Sequence, residues 1–122
     1  MEKNILLVDD SPTTRKIVGF FLKEKGYKII EANNGIEALE KMAYSKIDLI
    51  ITDLNMPKMD GLELVSSINS DLAFKDIPII IITTEDQEQK EEEGMKLGAS
   101  AYLKKPISKN TLIKEVENLI KI

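Results

Sequence analysis

Short, evenly apolar runs alternate along the chain with stretches in which apolar residues recur three or four positions apart. The first run, Asn4–Val8, is too short and too uniformly apolar to be anything but a buried strand. A helix is predicted after it: Pro12 suits a first helical turn, Ser11 or Asp10 can cap it, and Gly26 stops it. Tyr27–Glu31 reads as a second strand. Gly35–Tyr44 reads as a second helix, with Ala38, Leu39 and Met42 at helical spacing, and Asp48–Thr52 as a third strand. Pro57 and Gly61 bracket a loop before a third helix marked by Leu62, Leu64, Val65 and Ile68. Pro78 opens the strand Ile79–Ile82, the most continuous apolar run and the expected centre of the sheet. Gln87–Leu97 reads as a fourth helix ended by Gly98, Ala101–Leu103 as a short fifth strand, and Ser108–Ile120 as a capped last helix.

Five strands alternating with five helices imply an α/β fold, a doubly wound parallel sheet with helices on both faces, because each crossover must be right-handed and cover a face. No linker, repeat or low-complexity stretch interrupts the alternation, so residues 1–122 are expected to form one domain that folds alone. The segment Glu85–Glu93, rich in acids and amides, is expected to be a solvated helix face.

Composition narrows the chemistry. With 43% hydrophobic and 31% charged residues the chain is of the globular class, and no apolar run approaches the roughly 20 residues of a membrane helix. No signal-peptide pattern opens it, so the expected location is the cytoplasm, without membrane insertion. A net charge of −4 argues against nucleic acid as a partner. There is no cysteine, hence no disulfide, thiolate nucleophile or Cys-ligated zinc. There is also no histidine, so acid, base and metal chemistry falls to carboxylates and lysines, and oxygen ligands imply a hard cation such as Mg²⁺.

In open sheets of this kind ligands bind beyond the carboxyl ends of the strands. The first strand ends in Asp9-Asp10, the third in Asp53, the fourth in Thr83-Thr84-Glu85, and the fifth runs into Lys104-Lys105-Pro106. Taken singly, each of these has an ordinary structural explanation: an Asp after a strand caps helices and forms turns, a Thr closes a strand, a Lys lies on the surface. Together they place three carboxylates, a hydroxyl and an ammonium on one edge. At about 5 Å and an effective dielectric of about 20, each like-charge pair costs roughly 3 kcal/mol, which a fold tolerates only with a cation. Pro106 would impose an extended or cis connection that aims Lys105.

The motifs "LLVDDSPTTR", "DLIITDLNMPKMDGLELV", "IPIIIITTE" and "GASAYLKKP" are together highly specific, and the chain resembles the receiver domain of two-component response regulators, most closely the single-domain, chemotaxis-like members, from Ile5 to the last helix. The resemblance implies the flavodoxin-like receiver fold with strand order 2-1-3-4-5. It makes Asp53 the phosphoacceptor. Asp10, Asp53 and the backbone carbonyl of Asn55 would ligate Mg²⁺, or Mn²⁺ in its place, with Asp9 acting through water. Thr83 would donate its hydroxyl to one phosphoryl oxygen and Lys105 would pair with another. Thr83 would then move toward the phosphoryl group and Tyr102 would fill the vacated space, with the face of the fourth helix, fifth strand and fifth helix reading the change. The implied partners are a histidine kinase or histidine phosphotransfer protein and a downstream target protein.

Further expectations attach to single positions. Asn55 and Glu85 flank the route of water to an acyl phosphate. Thr84 departs from the small residue common at its position and should slow access, while Gly94 departs from a helix-favouring one at a cost of roughly 1 kcal/mol. Val18, Phe21 and Leu22 suffice to face the sheet, which leaves Ile17 and Phe20 in surplus; Ile17 is expected either to dock the phosphodonor or to contact the last helix. The protein is expected to act as a signalling phosphoacceptor, assisting its own phosphorylation and slow dephosphorylation, not as an enzyme. A chemotaxis effector, a relay intermediate and a phosphate sink all use this site. An aspartate-nucleophile phosphohydrolase would need a second acid where Asn55 stands. A flavin-mononucleotide binder would be repelled by Asp9-Asp10, and a degenerate receiver would lack a site residue.

Overall fold

The computed structural model describes residues 2–120, apart from the Glu85 side chain. Its elements are β1 (Asn4–Val8), α1 (Pro12–Lys23), β2 (Lys28–Ala32), α2 (Gly35–Tyr44), β3 (Leu49–Asp53), α3 (Gly61–Asn69), β4 (Ile79–Thr83), α4 (Glu88–Leu97), β5 (Ala101–Lys104) and α5 (Lys109–Leu119), with a 3₁₀ turn at Glu85–Gln87 before α4. All strand pairings are parallel, and the order is β2-β1-β3-β4-β5. This is the doubly wound receiver arrangement expected from the motifs. One expectation is corrected: the centre of the sheet is β3, and the isoleucine run of β4 stands one strand over, flanked by β3 and β5.

The two-residue period of the strands divides the core in two. Ile5 and Leu7 of β1, Leu49 and Ile51 of β3, and Ile80 and Ile82 of β4 meet α1 and α5 through Val18, Leu22, Leu112 and Val116. The alternate residues Leu6, Val8, Ile50, Ile79 and Ile81 meet Ala38 and Met42 of α2 and Leu64, Val65 and Ile68 of α3. These strands are therefore apolar on both faces, as buried parallel strands must be.

Helix starts follow local chemistry. Ser11 caps α1 by accepting from the Thr14 amide, with Pro12 at the first helical position. Asn34 and Ser108 cap α2 and α5 in the same way, and Asp60 and Glu63 form a reciprocal capping box on α3. Helix α1 ends at Lys23, three residues before Gly26, because the Lys25 and Gly26 amides turn back to the Leu22 and Lys23 carbonyls. At Gly61 a side chain is excluded: a Cβ there would lie 2.4 Å from the Asp53 carbonyl oxygen, so glycine is what lets α3 start against the end of β3.

Candidate phosphoacceptor site

The carboxyl ends of β1 and β3 bring the acids together. Asp9 follows Val8, and its backbone amide extends the ladder to the Ala32 carbonyl. Its side chain is fully buried. One oxygen accepts from the Ser11 amide at 2.8 Å, while Oδ2 is buried with no hydrogen-bond partner. Arg15 of α1 donates to the Asp9 carbonyl and pairs with Glu31 at 2.9 Å, which pins this strand end from below.

Asp53 is itself the last residue of β3, one position further than its polarity implies, because its backbone remains paired opposite Ile82. Its Oδ1 accepts from the Leu54 amide at 2.9 Å, and its Oδ2 lies 3.5 Å from Lys105 Nζ. The same ammonium stands 3.9 Å from Asp9 Oδ2. The Lys105–Pro106 peptide is cis. Carboxylate oxygens of Asp9, Asp10 and Asp53 all fall within 4.8 Å of one another, with Asp10 exposed and the other two buried.

Electrostatics follow from that crowding. Burial pushes the Asp53 carboxyl above the usual aspartate range, opposed first by Lys105 and then by the Leu54 amide. Burial likewise raises Asp9; the Ser11 amide opposes this, while the neighbouring Asp53 charge adds to it. Three clustered carboxylates, one with a buried oxygen that nothing satisfies, form an all-oxygen donor set suited to Mg²⁺.

The remaining predicted residues are arranged around this pocket. Thr83 ends β4, fully buried. Its hydroxyl donates to Glu91 Oε2 of α4 at 3.1 Å. Tyr102 is 43% exposed on β5. Asn55 is exposed beyond β3, and its side-chain oxygen accepts from Lys90 Nζ at 3.3 Å. The Thr84 hydroxyl is engaged with Asp86 and Gln87, and the Thr84 amide donates to Gln87 Oε1 at 2.9 Å, which together close the 3₁₀ turn. Glu85 has a side chain outside the described residues. Ile17, 48% exposed, lines a groove of ≈ 260 Å³ with Thr14, Val18, Lys105, Pro106 and Ile107. Phe20 is exposed as well.

Part of the solvated-face expectation for Glu85–Glu93 is overturned. Gln87 and Glu91 are both buried, Glu91 with 6% of its surface exposed, and Glu91 also pairs with Lys104 at 3.2 Å. The motifs assign no role to Glu91 or Lys104. The available signal was spacing: Gln87, Glu91 and Gly94 recur at helical intervals and form the inward stripe of this segment.

Comparison with known proteins agrees with the geometry. The profile of the response regulator receiver domain matches residues 5–117. Chemotaxis protein CheY1 of Helicobacter pylori is 43% identical over 115 residues, 93% of each chain, and protein PilH of Pseudomonas aeruginosa is 34% identical over 116 residues, 95% of this chain and 96% of that one. The crystal structure of the chemotaxis response regulator CheY4 of Vibrio cholerae superposes with a TM-score of 0.91 at 37% identity, covering 98% of this chain and all of that one. With the acidic pocket, the lysine beside Asp53 and the strand order all in place, the chain belongs to the response-regulator receiver domain family, in its CheY-like class.

Proposed function

We propose that the protein is a stand-alone response regulator in which Asp53 accepts a phosphoryl group from a phosphohistidine and the surface around Tyr102 changes in response. The observation that carries this reading is the Asp53 carboxylate, held 3.5 Å from Lys105 and beside two further acids. Lys105 favours its ionised, nucleophilic form against the burial that opposes it. In the transfer an Asp53 carboxylate oxygen attacks phosphorus in line as the P–N bond to the donor imidazole breaks. The electron pair stays on the imidazole nitrogen, which takes a proton from water, and a P–O bond remains on Asp53. Lys105 neutralises one phosphoryl oxygen and the Thr83 hydroxyl bonds another. Asp10, Asp53 and the Asn55 carbonyl would hold Mg²⁺, with Asp9 acting through water, and the ion would supply the charge that lets an anionic donor approach this acidic pocket; Mn²⁺ shares these ligand preferences.

The donor is a histidine kinase or histidine phosphotransfer protein. The groove lined by Ile17 supports docking next to Lys105, since about half of the Ile17 surface is open there, 48% exposed. Ile17→Ala should slow transfer from such a donor and leave labelling by acetyl phosphate unchanged. The target would bind the face of α4, β5 and α5, in the cytoplasm, with neither nucleic acid nor membrane involved. A chemotaxis-type effector follows the relatives, since CheY1 and CheY4 are named as chemotaxis proteins. A relay intermediate or sink shares the Asp53 chemistry and differs in where the phosphoryl group goes next. Asn55, Thr84 and Glu85 would set how long the group persists.

Incubation with acetyl phosphate and Mg²⁺ tests the reading. An acid-stable, base-labile adduct is expected, absent with EDTA and absent in Asp53→Asn; equal labelling of Asp53→Asn overturns it.

A further inference from the structure

Glu91 is a buried charge that the chemistry at Asp53 does not use. A carboxylate in such a place is costly unless paired and hydrogen-bonded, and both of its partners converge on one oxygen. Thr83 Oγ1 donates to Oε2 at 3.1 Å and Lys104 Nζ lies 3.2 Å from it. Thr83 and Lys104 are register partners on β4 and β5, so their side chains leave the same face of the sheet and Glu91 of α4 closes over them. Tyr102, two residues before Lys104, belongs to that face too.

A threonine hydroxyl has one proton to donate. While that proton is directed at Glu91, it is withheld from any acceptor on Asp53. We propose that Glu91 is a positioning residue that latches the Thr83 hydroxyl in the unphosphorylated protein, so that the phosphoryl group must compete with a buried carboxylate for it. When Thr83 turns to the phosphoryl oxygen, Glu91 keeps only Lys104, and α4 loses a direct tie to β4. The buried residues of helix α4 are Glu91 and Gly94, and of its apolar side chains Leu97 is partly buried against the core, so this tie is a large share of its polar anchoring to β4. One hydroxyl proton thus links the acceptor to the helix on the output side. The inference rests on the reading of Asp53 as the acceptor and adds the element that resists the switch.

The test uses beryllium fluoride, an analogue of the acyl phosphate, with Mg²⁺ and the full chain, and measures its dissociation constant by calorimetry. Glu91→Leu removes the competing acceptor while keeping an apolar side chain of similar size, and Glu91→Gln keeps an acceptor oxygen without the charge. Loss of a charge-assisted hydrogen bond corresponds to about a tenfold change in an equilibrium. Glu91→Leu should therefore bind about tenfold more tightly than the wild type, with Glu91→Gln in between. In a Thr83→Ala background the gain should vanish, which a merely structural role of Glu91 would not produce. Unchanged or weaker binding by Glu91→Leu, or the same gain without the Thr83 hydroxyl, overturns the latch. If Glu91→Leu fails to fold, tighter binding by Glu91→Gln supports the latch and its absence overturns it. Wild-type protein that neither labels on Asp53 nor binds beryllium fluoride overturns the acceptor reading and the latch with it, whereas wild-type binding without a gain in the variants overturns the latch alone.

Discussion

Helix α1 follows the strand end that leads into Asp9 and Asp10, and helix α4 follows the strand that ends in Thr83, yet what the two helices bury differs in kind. Helix α1, which starts just after Asp9 and Asp10, buries Val18 and Leu22 against the strands that carry the acids. Helix α4, which follows Thr83 through one 3₁₀ turn, buries Glu91 and Gly94. A helix fixed by apolar burial moves only at the cost of core packing, whereas one fixed by a hydrogen bond and an ion pair can be released by a competitor for the same donor. The half of the site that carries the acids is thus set by the core, and the half that carries Thr83 is set in large part by polar contacts. Regions that move in signalling are drawn from such weakly buried parts of a fold.

The largest effect is expected where the comparison is most direct. Leu22→Ala should lose about 3 kcal/mol through its transfer and cavity terms, read from the urea midpoint, while Glu91→Leu should cost less, about 1–2 kcal/mol, because Lys104 is exposed enough to be solvated and only the buried Thr83 hydroxyl is left without its acceptor. Comparable losses at both positions would break the contrast.

Next in size is Asp9→Asn without Mg²⁺. The amide keeps the Ser11 contact and removes a buried charge from the carboxylate cluster, so stability near neutral pH should rise by about 1–2 kcal/mol. The sign with pH follows from the direction of the shift. Burial raises the folded-state value of Asp9 above its unfolded one, so the wild type carries the full penalty above the raised value and sheds it as pH falls toward the ordinary aspartate range of about 3.9. The advantage of the variant should therefore fade in acid. Addition of Mg²⁺ at about ten times its Kd should return about 1.4 kcal/mol to the wild type; an advantage of Asp9→Asn that ignores both acid and Mg²⁺ would remove the cluster from the explanation.

Smaller effects belong to the α4 side. Thr84→Ala unties the 3₁₀ turn before α4 and should speed loss of the phosphoryl group by less than about tenfold, followed by decay of the labelled protein; a slower decay would contradict the reading of Thr84 as a restraint. Gly94→Ala gains helix propensity of about 1 kcal/mol, but its Cβ would meet Ile81 Cδ1 at 2.8 Å and Leu62 Cδ2 at 3.4 Å. The far end of Ile81 can shift, so the net change should stay within about 0.5 kcal/mol in denaturant. A large destabilisation would show α4 to be packed as firmly as α1.

The elements were legible from apolar period and caps because β1, β3 and β4 are buried on both faces and α1, α2, α3 and α5 each start on a capping side chain. Strand ends were less so. Asp53 and Thr83 look like residues beyond a strand, but their backbones stay in the ladder opposite Ile82 and Lys104. Strand order came from the motifs, since an isoleucine-rich run such as β4 marks an interior strand without fixing which interior position it takes. The acids of the site were visible as a repeated pattern at strand ends. Glu91 was not, because the spacing of Gln87, Glu91 and Gly94 can mark an inward stripe, but the pairing of Glu91 with Thr83 and Lys104 depends on the register of α4 over the sheet, a tertiary relation.

The account stands on Asp53 as the group that becomes phosphorylated. Borohydride reduces an aspartyl phosphate to homoserine, and peptide mass spectrometry after labelling with acetyl phosphate and Mg²⁺ locates it. The expected result is homoserine at position 53 alone, and none when Mg²⁺ is withheld. Homoserine at another aspartate, or phosphate incorporated with no homoserine at position 53, would contradict the account.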